Sequence, residues 1–134
     1  MNYCLDTNIV SYFLAGQSLA LKRRFGQVAP QAVLLPEIVC AELLYGIVKS
    51  QRKAANLSRL ESFLAGCERV AFSSEYSAHY ASIRVALEKK GTPIGPRDLL
   101  IAATARAHDA TVVTANVKEF KRVPALRVED WTKA

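Results

Sequence analysis

Histidine, tryptophan and cysteine are scarce in this 134-residue chain: two, one and three residues respectively. The cysteines, Cys4, Cys40 and Cys67, are odd in number, and none lies close enough to another to form a CxxC pair. Each sits in an apolar run, where a free thiol behaves as a small buried hydrophobe rather than as a metal or redox ligand. His79 falls inside a helical pattern and His108 near the end of another, so both read as packed or surface residues, and histidine-based nuclease chemistry is disfavoured. Long hydrophobic runs are missing as well. Glu37, Glu42, Asp98 and Arg106 interrupt the most apolar stretches, well short of the roughly 20 residues that a membrane-spanning helix needs. The opening MNYCLD lacks the basic and then apolar regions of a secretory signal. A cytoplasmic protein is therefore expected. With no repeat, low-complexity tract or linker, residues 1–134 are expected to form one domain. Acidic residues are in the minority, twelve against eighteen Lys and Arg, for a net charge of +6. That excess favours contact with a polyanion through phosphate attraction without specifying any chemistry.

What is present alternates between strand and helix patterns. A short apolar run ends at Asp6, and Thr7 and Asn8 supply capping chemistry for a helix over Ile9 to Leu14. A basic helical piece from Leu19 to Phe25 stops at Gly26. Ala32 to Leu35 reads as a second strand, and Pro36 suits the start of a helix running to about Lys49, with Glu42 inside it. Leu57, Leu60, Phe63 and Leu64 recur at spacings of three and four, which predicts an amphipathic helix over Arg52 to Leu64 closed by Gly66. Arg69 to Phe72 is a third strand, Ser73 to Lys90 a long helix ending in lysines and glycine, and Asp98 to Ala107 an alanine-rich helix after the loop TPIGP. Thr111 to Thr114 and Leu126 to Val128 are the fourth and fifth strands. The alternation implies βαβ units: an α/β fold with a mostly parallel sheet of four to five strands flanked by helices on both faces.

In such sheets ligands bind beyond the carboxyl ends of the strands. Asp6 and Asn116 fall at that edge, Asp98 opens a helix there, and Glu42 lies about one and a half turns into another. Each acid alone also has an ordinary structural role: Asp6 as a turn residue, Asp98 as an N-terminal helix acid favoured by the macrodipole, Glu42 as a solvated helix position. Together, beside apolar runs where an unpaired carboxylate is costly to bury, they form the oxygen-ligand set that Mg²⁺ and Mn²⁺ prefer. Phosphodiester hydrolysis suits such a set, because a bound cation lowers the pKa of a coordinated water and offsets charge on the leaving oxygen.

Four segments, LDTNIVSYFL, AELLYG, GTPIGPRDLLIAATARA and TVVTANVKEFKRVPALRVEDW, occur in an order and over a span that closely resemble the PIN-domain toxins of the VapC group. The resemblance implies a PIN-like fold and the toxin of a type II toxin–antitoxin system. It also implies an Mg²⁺- or Mn²⁺-dependent endoribonuclease acting on RNA, most plainly tRNA in the anticodon region, with a VapB-type antitoxin as partner and a homodimer as assembly. Carried over by position, Asp6 and Asp98 resemble the principal metal ligands and catalytic residues, with Glu42 completing the triad directly or through water. Asn8 resembles the polar residue that orients the first aspartate, and Thr114 and Asn116 match the T-x-N segment. Many relatives have a fourth acid where this chain has Asn116, an amide and a weak ligand. Glu119 is the candidate replacement, although it lies in the basic segment from Lys118 to Arg122, where a solvated role is equally natural. A receiver domain would need an acceptor aspartate after the third strand, where Phe72, Ser73 and Ser74 stand instead. The remaining alternative is a catalytically silent PIN-like module that binds RNA or a partner, whose signature would be loss of one of the three acids. All three are present.

Overall fold

The computed structural model describes residues 1–133. Five short strands, β1 (Tyr3–Leu5), β2 (Val33–Pro36), β3 (Glu68–Val70), β4 (Thr111–Val113) and β5 (Arg127–Glu129), form one sheet in the order β3-β2-β1-β4-β5, and all four pairings are parallel. Cys4 on the central strand pairs in register with Leu34 on one side and Val112 on the other. Cys4, Leu34, Leu35, Val112 and Val113 are all buried, as continuous apolar strands of a covered parallel sheet must be. Among the described residues, seven α-helices flank the sheet: α1 (Thr7–Leu14), α2 (Leu19–Gln27), α3 (Glu37–Lys49), α4 (Lys53–Ala65), α5 (Ser74–Lys89), α6 (Pro96–Ala107) and α7 (Val117–Phe120). In α6, Ala102, Ala103 and Ala105 are fully buried. Their small side chains let that helix lie close against the central strands, which brings its N-terminus to the sheet's carboxyl edge. None of the described helices is long and apolar enough to cross a membrane.

Two departures from the sequence expectation have physical causes. Helix α2 runs through Gly26 to Gln27 instead of stopping at the glycine. Phe25 holds the last turn in place, packed 4.1 Å from Phe13 and edge-on to Trp131 at 5.3 Å, so tertiary packing overrides a local helix breaker. The single turn α7 was not expected, because four residues carry too little periodicity to register. Trp131 is fully buried. Its indole N–H donates to Glu129 at 3.0 Å, Tyr3 packs edge-on at 5.0 Å, and the Arg24 guanidinium stacks over the ring while pairing with Glu129 at 2.8 Å. Those contacts tie the segment after β5 back to β1 and α2. The cysteines are free, with Cys4 and Cys40 buried, and both histidines are packed: His79 accepts from Arg106 at 2.9 Å and His108 bonds Tyr76.

Candidate active site

Chain order reverses at β1, whose neighbours are β2 and β4. The crevice beyond the carboxyl ends of β1 and β4 is therefore the topological switch point, where open parallel sheets bind ligands. Asp6 directly follows β1, and Thr114 directly follows β4. Asp6 is 6% exposed. Its backbone N–H donates to Val113 at 3.2 Å, extending the β1–β4 pairing by one residue. Its carboxylate caps α1, with Oδ1 accepting from the Ile9 amide at 3.0 Å. The other oxygen, Oδ2, accepts from the fully buried Thr114 hydroxyl at 2.5 Å. Thr114 in turn accepts from the Asn116 amide at 2.9 Å, so the hydroxyl is oriented to donate toward Asp6. Burial pushes the Asp6 carboxyl above its ordinary pKa; the Thr114 and Ile9 hydrogen bonds oppose that rise, and the charge of Asp130 adds to it.

The unexpected turn α7 positions Glu119. One of its oxygens accepts from the Asn116 side-chain amide, and the other from the Gly95 N–H at 3.3 Å. Glu119 thereby joins the segment after β4 to the Gly-Pro loop that opens α6, and comes within hydrogen-bonding reach of Asp98. Asp98 is half-buried in the first turn of α6. Its carboxyl is pushed up to about 6, chiefly by burial, then by the charge of Glu119 and a hydrogen bond with it, and by the charge of Asp6, with Arg97 pulling the other way. Loss of solvation disfavours the charged form, and like charges held at close range add to that effect.

Glu42 lies half-buried on α3 and faces Arg97, whose Nε is 2.9 Å from Oε1. The structure thus brings Asp6, Thr114, Asn116, Glu119 and Asp98 together directly, and connects Glu42 to them through the residue next to Asp98. Asn8 lies exposed in the first turn of α1. The described bonds to the Asp6 carboxylate come from Thr114 and the Ile9 amide, not from Asn8. Sequence reasoning passed over Arg97 and Asp130. Arg97 was visible as the only base flanking Asp98, whereas Asp130 approaches Asp6 only through the fold.

Among the described residues, no three His, Cys, Asp or Glu side chains stand close enough to enclose a metal ion as placed. The donor chemistry nonetheless fits a divalent cation. The facing groups are carboxylate oxygens, which hard cations prefer, and the charges of Glu119 and Asp6, which add to the effect of burial on Asp98, are ones a cation would relieve. Asp6 is fixed by two hydrogen bonds, whereas half-buried Glu42 has one described ion pair, to the largely exposed Arg97.

The PIN domain model matches residues 3–126. Ribonuclease VapC2 of Rickettsia felis is 42% identical over 134 residues, covering 99% of this chain and 100% of that protein. The tRNA(fMet)-specific endonuclease VapC of Salmonella typhimurium is 34% identical over 131 residues, covering 98% of each. Among solved structures, VapBC2 from Rickettsia felis bound to a DNA fragment from its promoter superposes with a TM-score of 0.91 at 41% identity, over 98% of this chain and 99% of that one. With a parallel α/β sheet, acids gathered at its switch point and these likenesses along nearly its whole length, the chain belongs to the PIN-domain family, within its VapC group.

Proposed function

We propose that the chain is the toxin of a VapBC-type pair, a single-domain, metal-dependent endoribonuclease with Asp6, Asp98 and Glu42 as metal ligands and Glu119 as the added acid. The observation that carries this reading is the crowding of Asp98 against Glu119 and Asp6 at the switch point. Mg²⁺ or Mn²⁺, when bound, lowers the pKa of a coordinated water and offsets charge on phosphoryl oxygens. The protein's part is positioning. Thr114 and the Ile9 amide fix the Asp6 oxygens, the start of α6 presents Asp98, and Asn116 and Gly95 hold Glu119 against it. Water attacking phosphorus in line would leave a 3′-hydroxyl and a 5′-phosphate. The name of the Salmonella relative supports tRNA as substrate, and single-stranded loops such as the anticodon are the RNA elements whose phosphates can enter a pocket.

The partner follows from the same comparisons, since the Rickettsia structure is a VapBC complex. A groove of about 320 Å³ lies beside the site, lined by Leu14, Leu43, Ile47, Leu60 and Arg59 with Glu42 at its wall. Tyr45 and Val48, on the same helix as Glu42, are largely exposed. An amphipathic tail of a VapB-type antitoxin suits that surface. The reading also takes the protein to be cytoplasmic and homodimeric.

Sequencing of RNA 5′ ends produced on expression without antitoxin tests the reading. New 5′-phosphate ends within a tRNA anticodon loop are expected. RNA that is bound but not cut by the folded protein in Mg²⁺ or Mn²⁺ would favour the silent module instead.

A further inference from the structure

We infer that Arg97 is an RNA-binding residue of the site, held on Glu42 in the free protein and transferred to a substrate phosphate when RNA enters; this rests on the nuclease reading above. An active site built from Asp6, Asp98, Glu119 and Glu42 repels the polyanion it must admit, and a cation at its rim offsets that repulsion. Arg97 has that position. It occupies the first turn of α6 next to Asp98, its side chain is 69% exposed, and its Nε lies 2.9 Å from Glu42 Oε1. Its charge also reaches Asp98, where it opposes the pKa rise caused by Glu119 and Asp6.

Three features argue for transfer over a fixed brace. First, among the described residues the guanidinium forms its ion pair only with Glu42. An arginine carries five N–H donors in a planar fork that matches phosphate oxygens, so donors beyond the Nε contact remain for a ligand. Second, the guanidinium side of the pair is 69% exposed while Glu42 is half-buried, and a pair open to water on one side is weakened by screening and by the side-chain freedom lost in making it. A phosphodiester carries one negative charge, as a carboxylate does, but it offers two non-bridging oxygens to the guanidinium fork and is flanked by further phosphates along the strand, so RNA competes with one carboxylate in that setting. Third, release of Arg97 frees the Glu42 carboxylate from its one described ion pair, so phosphate capture and release of Glu42 occur in one rearrangement. The nearby bases are placed differently: Arg122 donates to the Pro93 carbonyl at 3.2 Å, and Lys118 on α7 and Lys121 just after it are exposed without a bond to a site acid among the described residues.

The test separates RNA binding from cleavage. Binding of a short fluorescein-labelled single-stranded RNA is measured in EDTA across a salt series for the parent, Arg97→Ala and Arg97→Lys. One lost phosphate contact should flatten the slope of log affinity against log salt by about 0.7 and weaken binding about fivefold in 0.1 M salt. Arg97→Lys, which keeps the charge but not the fork, should retain the slope and lose part of the affinity. A parent-like slope and affinity in Arg97→Ala would overturn the inference and leave Arg97 as a brace for Glu42. Tighter binding in that variant, or a parent that does not bind RNA in EDTA, would overturn it too. Cleavage by the parent in Mg²⁺, measured on the same RNA, reports on the nuclease reading separately: a slope change without cleavage would keep the role of Arg97 and remove the activity.

Discussion

The Thr114 hydroxyl donates to the Asp6 carboxylate over 2.5 Å, bridging residues 108 positions apart at the point where the strand order reverses. Because Thr114 is fully buried and is itself oriented by the Asn116 amide, the bond fixes which way Asp6 faces. Thr114→Val keeps the shape and removes the donor. Leaving a buried acceptor without its partner costs about 1–3 kcal/mol, and the Asp6 pKa should rise further, since this bond is what chiefly opposes the effect of burial. The Mg²⁺ requirement for RNA cleavage should move to higher concentration, while Thr114→Ser should behave like the parent. Urea unfolding and a metal titration check both parts; a Val variant with the parent's metal curve would separate Thr114 from the site.

Asp98 makes stability depend on pH with a defined sign. Its carboxyl stands at about 6 in the folded protein against an ordinary value of 3.8, so between those values the folded state holds more protons than the unfolded one. Stability contributed by this group is therefore greatest at low pH and falls as pH rises through that window. Asp98→Asn has no proton to lose there. In the metal-free protein, the difference in Tm between variant and parent should shift in favour of the variant as pH rises from about 4 to 7. A difference that stays constant with pH would show that Asp98 is not crowded. Metal affinity of the parent should fall below about pH 6, where the proton competes for the same oxygens.

Glu119→Gln removes one charge next to Asp98 while keeping a side chain able to bond Gly95. If Glu119 serves as the fourth acid, the Mg²⁺ curve should move to higher concentration more than the plateau rate falls. The acid limb of the pH profile should also move to lower pH, because the charge of Glu119 is the second-largest contribution to the elevation of Asp98. Unchanged curves would leave a three-acid site.

Much of this arrangement could be read along the chain. β-branched and apolar runs ending at Asp6 and Thr114 located two strand ends, and the TPIGP loop located the start of the helix that carries Asp98. Glu119 was harder to place. It lies among Lys118, Lys121 and Arg122, and only the turn α7, together with the Gly95 and Asn116 bonds, brings it to the pocket. The role of Trp131 was also hidden, since its partners Tyr3, Phe25 and Arg24 lie more than a hundred residues away in sequence. The link between Glu42 and Arg97 joins two helices, and no local pattern encodes it. Asn8 shows the opposite limit: a family-like position does not ensure a family-like contact.

Inhibition by the antitoxin should depend on metal. An arginine from its tail, placed among Asp6, Glu42 and Asp98, would pair with carboxylates in fork geometry and compete with both Mg²⁺ and Arg97. RNA cleavage measured against antitoxin at several metal concentrations, with intact and tail-truncated partner, should show competition only for the intact form. Equal inhibition by both forms, with metal having no effect on either, would contradict groove blocking.

The most direct measurement is the initial rate of cleavage of a 5′-labelled anticodon stem-loop RNA, in Mg²⁺, by the parent and by Asp6→Asn and Asp98→Asn proteins shown to be folded by thermal unfolding. Both substitutions remove ligand charge with little change in shape. The account predicts loss of cleavage in each variant, with the parent producing 3′-hydroxyl and 5′-phosphate ends. Near-parent rates in either folded variant, or 2′,3′-cyclic phosphate ends from the parent, would contradict it.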